Sequence, residues 1–109
     1  MYLEEITGNI EPESRNIEYK ERLNRDDVVG WLKTVAGFAN AEGGVFYIGV
    51  KDDSHALVGF DRHAADKERN YFNNQVNERL TPRPVMSVDF LRYAAGSGER
   101  YLIRVQVAS

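Results

Sequence analysis

The sequence predicts an α+β domain in which two helices pack on one face of a mostly antiparallel sheet of about five strands, in the order β-α-β-β-α-β-β. Three observations predict it. Apolar residues recur at helical spacing in two stretches, Arg25 to Glu42 and about Ala64 to Leu80. Short alternating or continuous apolar runs fill Ile17 to Lys20, Val45 to Val50, Ala56 to Phe60, Val85 to Tyr93 and Tyr101 to Val107. Finally, 109 residues that are 42% hydrophobic supply one core and not two, so residues 1–109 read as a single domain.

Each element follows from local signals. Ile17 to Lys20 alternates as a short strand, and Asn24 is the expected N-cap of the helix that follows, with Asp26 and Asp27 in its first turn. Val28, Trp31 or Leu32, Val35, and Phe38 or Ala39 form its apolar stripe, and Gly43-Gly44 supplies the stop. Val45 to Val50 reads as a buried central strand ending in the turn Lys51-Asp52-Asp53-Ser54, from which Ala56 to Phe60 returns as the partner strand of a hairpin. Phe72, Val76 and Leu80, spaced by four, mark the second helix, which Thr81-Pro82-Arg83-Pro84 ends. The last two strands alternate, and Ala94 to Arg100 with its two glycines joins them as a hairpin.

Composition excludes several functional classes. With no cysteine there is no disulfide scaffold, thiolate zinc site or cysteine nucleophile, and an intracellular, cytoplasmic setting is expected. No apolar run approaches the roughly 18 residues that span a bilayer, and Met1 to Glu5 lacks the layout of a signal peptide, so no membrane partner is expected. His55 and His63 lack zinc-binding spacing, and no serine-triad signature is present. A net charge of −3 repels polyanions as a whole, so nucleic-acid binding requires a local basic face. Charge is uneven: Glu4, Glu5, Glu11, Glu13 and Glu18 crowd the first twenty residues, and Arg83, Arg92, Arg100 and Arg104 the last third.

Three segments carry candidate chemistry. On a strand, Glu18 and Lys20 share a face, where they could hold a hard cation and a phosphate oxygen or simply form a solvated ion pair. Glu13, at an odd spacing from Glu18, joins that face only if the chain bends near Arg15 or Asn16. In Phe38 to Val50, Gly43-Gly44 permits a tight turn and Asn40 can bond freed groups at the helix end, with Gly49 interrupting the strand; the plainer reading is a helix cap before a core strand. This is not a P-loop, because no Gly-Lys-Ser/Thr follows the glycines. Lys51-Asp52-Asp53 ends the central strand, where its acids could meet a ligand together with the Glu18 strand, or serve only as turn residues.

Taken in order, Glu18-Tyr-Lys20, Phe38-Ala-Asn-Ala-Glu-Gly-Gly44, Ile48-Gly-Val-Lys-Asp-Asp53, Val58-Gly59 and Asn73 to Pro84 resemble the Schlafen AlbA_2 domain, from about Glu13 to Val107. The resemblance implies an AlbA-related α+β fold and a DNA-binding module of microbial transcriptional regulators, found at the N-terminus of longer proteins. It also implies an alternative, because animal Schlafen proteins are metal-dependent RNA endonucleases with three acidic residues. Those acids match Glu13, Glu18 and Asp52, or Asp53 in place of Asp52; the glycine common after them is Ser54 here.

Two functions and a third alternative follow. As a binding domain for DNA or RNA, the chain would contact phosphates through Lys20, Arg22, Arg25 and Lys51, with no cofactor. As a nuclease, Glu13, Glu18 and Asp52 would hold Mg²⁺ or Mn²⁺ and Lys20 would offset phosphate charge. A protein-interaction or homodimerisation module, using the tyrosines and Trp31, is the remaining alternative.

Overall fold

The computed structural model describes residues 16–96 and 98–109. The order is β1 (Ile17–Lys20), α1 (Val28–Ala39), β2 (Gly44–Ile48), α2 (Arg62–Arg79), β3 (Met86–Ala95) and β4 (Gly98–Val107). Spatially the sheet runs β1-β2-β4-β3, with β1 parallel to β2 and the other neighbours antiparallel. The α+β class holds, with a mixed four-stranded sheet in place of the expected five mostly antiparallel strands.

The strand expected at Ala56 to Phe60 reduces to two isolated bridges, Val50 to Leu57 and Phe60 to Tyr101. Gly59, at φ +62°, breaks the two-residue period there. The Arg100 guanidinium then takes the carbonyls of Val58 (3.1 Å) and Gly59 (2.9 Å). The antiparallel neighbour of β2 is β4.

Helix α1 also starts later than expected. Asp27, not Asn24, is its N-cap, accepting from Gly30 N at 3.1 Å, while the Asn24 side chain accepts from Asp26 N at 2.8 Å in a turn before the helix. In α2, Asp61 caps by accepting from Ala64 N at 2.7 Å.

The main core lies between the helices and the sheet. Trp31, Leu32, Val35 and Phe38 of α1 and Phe72 and Val76 of α2 pack on Phe46, Ile48, Ile103 and Val105. Phe72 centres it, with Trp31 stacked at 5.6 Å and Phe46 at 6.3 Å between ring centroids. A second cluster on the other face of the sheet joins Tyr19, Val50, Leu91, Tyr93 and Leu102. Burial pushes the Tyr93 phenol above its ordinary pKa, with Arg100 pulling the other way. The register pairs Glu18 with Phe46 and Lys20 with Ile48, so both charged residues occupy the helix-bearing face at the sheet edge.

Candidate functional site

Because β1 and β2 are parallel, their C-terminal ends lie at the same end of the sheet, the end at which ligands meet parallel strands in α/β folds. The Lys20 carbonyl accepts from Gly49 N (2.7 Å) and Val50 N (3.2 Å), which sets Lys20 beside the start of the Lys51 turn. Arg22 follows two residues after Lys20. Arg22 and Lys51 are exposed. The Lys20 ammonium lies 3.8 Å from the Glu18 carboxylate, a loose contact with the two side chains 37% and 22% exposed. A pair this open is worth little and leaves the ammonium accessible to an anion.

The fourth expected cation has a different environment. Arg25 donates to Glu68 Oε1 at 2.8 Å and to the Leu23 carbonyl at 3.1 Å, and its guanidinium lies 3.6 Å from the centroid of the Tyr71 ring. Glu68 is buried, and its other oxygen accepts from Leu23 N at 2.8 Å. Together these bonds fasten the connection at residues 21–26 to α2. We expect Arg25→Ala to destabilise the domain by about 2 kcal/mol, because it strips a charge-assisted bond from a buried carboxylate. Urea denaturation with an unchanged slope would measure this loss.

Glu68 is the residue that sequence reading missed, although a signal was present. Extending the Phe72, Val76 and Leu80 spacing one turn back lands on Glu68, a carboxylate in line with the core-facing stripe. Such a position requires a buried partner.

The acidic candidates are also placed. Glu13 lies outside the described residues. In the turn, Asp53 accepts from Ser54 N at 2.6 Å and Ser54 Oγ accepts from Ala56 N at 3.3 Å, so the Asp53 carboxylate is engaged locally, and Asp52 and Asp53 are both exposed. The left-handed residue of this turn is His55 (φ 60°), one position beyond Ser54, with its ring 4.5 Å from that of Tyr19. Among the described residues, no group of three His, Cys, Asp or Glu side chains converges to hold a metal ion. Among these residues, too, no helix is long and apolar enough to cross a membrane.

The glycine segment serves the fold around the site. Gly43 turns the chain out of α1, Gly44 lies against the Phe38 ring, and Gly49 hands its N–H to Lys20. Asn40 is the C-cap of α1 through its backbone N–H, which donates to the Ala36 carbonyl at 2.9 Å.

The molecule is thus an α+β domain with a mixed sheet whose parallel pair presents cations at one end. The chain belongs to the Schlafen AlbA_2 family, whose sequence profile matches residues 13–109. It is also similar to an uncharacterized ATP-binding protein of Ureaplasma parvum serovar 3, 29% identical over 75 residues, which are 68% of this chain and 19% of that relative. The matched stretch therefore spans about a fifth of the relative's length.

Proposed function

We propose that the domain binds nucleic acid, DNA first among the candidates, by gripping its phosphate backbone at the end of the β1–β2 pair, as the binding module of a transcriptional regulator. One observation carries this reading: the parallel pairing gathers Lys20, Arg22 and Lys51, from two separate segments, at one end of the sheet. Arg25 acts there mainly by fixing the connection that carries Arg22. Point charges on flexible stems contact phosphates without reading bases, so the expected binding is weakly sequence-dependent and strongly salt-dependent. Family membership supports the same reading, and the description of the Ureaplasma relative as ATP-binding agrees with an affinity for phosphates.

The test is a gel-shift titration with unrelated duplex DNAs, a single strand and a structured RNA, at several salt concentrations, with Mn²⁺ or with EDTA. Lys20→Ala combined with Lys51→Ala should weaken binding about equally for every duplex and lower the salt slope by about two. Unchanged affinity in the double variant overturns the assignment. Cleavage that vanishes in EDTA and in Glu18→Gln would instead establish the nuclease reading with Glu13, Glu18 and Asp52.

A further inference from the structure

A cleft of about 820 Å³ opens between the 21–26 connection and the first half of α2, next to the cations just described. Its walls come from segments about forty residues apart in sequence. Arg22 stands on one side and Lys67 on the other, both exposed and neither paired with a described residue. Leu23, Phe60 and Ala64 contribute apolar lining. Glu68 is also in the wall, but its two oxygens are taken by Leu23 N and Arg25. Of the exposed acids, Asp26 sits just before the first turn of α1, where the helix N-terminus favours its charge, and Glu21 remains at the rim.

We infer that this cleft is a subsite for one nucleotide unit, with Arg22 and Lys67 on the phosphate and the Phe60 ring under the base. The inference rests on the nucleic-acid reading through Arg22 alone; Lys67 and Phe60 belong to no site described above. The volume lies within the range of sites that enclose a nucleotide-sized ligand. An exposed cation on each side with an aromatic ring between them is the combination that holds unpaired bases, since a ring can stack on a base only when the base is free of a duplex. Phe60 is partly exposed, packs in part against the core, and lines the cleft with the portion of its ring that the core leaves uncovered. The occupant is therefore a nucleotide within a single strand, or a free nucleotide with the same chemistry.

The test measures binding of labelled oligothymidine, of the matching duplex, and of ATP, to the wild-type domain and to Lys67→Ala and Phe60→Leu. Leucine retains most of the apolar packing of Phe60 against the core and removes the π-face, and circular dichroism melts verify that both variants fold. We expect single strand to be preferred over duplex, a loss of about tenfold in single-strand affinity for Phe60→Leu, and a duplex affinity that this variant leaves unchanged. Lys67→Ala should lower the single-strand salt slope by about one. If both variants bind single strand like wild type while Lys20→Ala with Lys51→Ala weakens it, the cleft assignment falls and the backbone-binding reading stands. If the wild type binds neither oligonucleotide, the backbone-binding reading falls. In that case, ATP binding that both cleft variants weaken supports a free-nucleotide site, and no ATP binding overturns the cleft as well.

Discussion

Replacing Phe72 with alanine should lower the unfolding free energy by about 3–5 kcal/mol, a large part of the total for a domain of this size. Phe72 is fully buried where both helices meet the sheet, and its ring contacts those of Trp31 and Phe46. Truncation removes the transfer free energy of the ring and the two aromatic contacts, and leaves a void that three elements border. Those elements cannot all close on it, because Phe46 is pinned by β-pairing and Trp31 by the bond from its indole N–H to the Asn24 carbonyl at 3.2 Å. Urea denaturation is the measurement. A loss below about 1.5 kcal/mol would mean that the helices collapse into the space and that the core is more plastic than its contacts imply.

Gly43→Ala should cost about 2–4 kcal/mol for a different reason. At φ +85° any side chain is strained, and a Cβ there would lie 2.6 Å from the Val107 carbonyl oxygen. That oxygen belongs to backbone in the first rung between β2 and β4, where Gly44 pairs with Val107, so the strain opens the sheet instead of displacing a flexible side chain. Gly37→Ala is the internal comparison: it lies inside α1 with nothing within 4 Å of its added Cβ, and it should stabilise by about 0.5–1 kcal/mol. Equal effects at the two positions would remove the conformational explanation for Gly43.

Both helices were legible in the sequence because their stripes were long: Trp31, Leu32, Val35 and Phe38, and then Phe72 and Val76, all face the core. The hairpin β3–β4 was legible from its alternation. What local pattern could not show was pairing between distant segments. Ala56 to Phe60 looks like a strand on composition, yet Gly59 sits at positive φ and its carbonyl and that of Val58 accept from Arg100, about forty residues away. The direction of β1 was hidden for the same reason, since four residues hold no record of which neighbour they join. At the candidate site, the shared face of Glu18 and Lys20 followed from strand periodicity, whereas the meeting of Lys20 with Lys51 depends on the parallel crossover through α1. Arg25 shows the limit most clearly, because an exposed-looking arginine in a polar stretch is tied to a carboxylate 43 residues away.

The Arg25–Glu68 tie also has a practical consequence for handling the protein. Mobile ions screen exposed charges over a distance of about 8 Å at physiological ionic strength and less as salt rises, and they reach a buried carboxylate poorly. Under the proposed phosphate-binding reading, strong brine is expected to release a bound polyanion while the buried side of this tie, the Leu23 N–H on the Glu68 carboxylate, keeps the 21–26 connection on α2. The expected product of a column wash at high ionic strength is a domain that keeps its fold and, on that reading, its competence to bind when the salt is lowered.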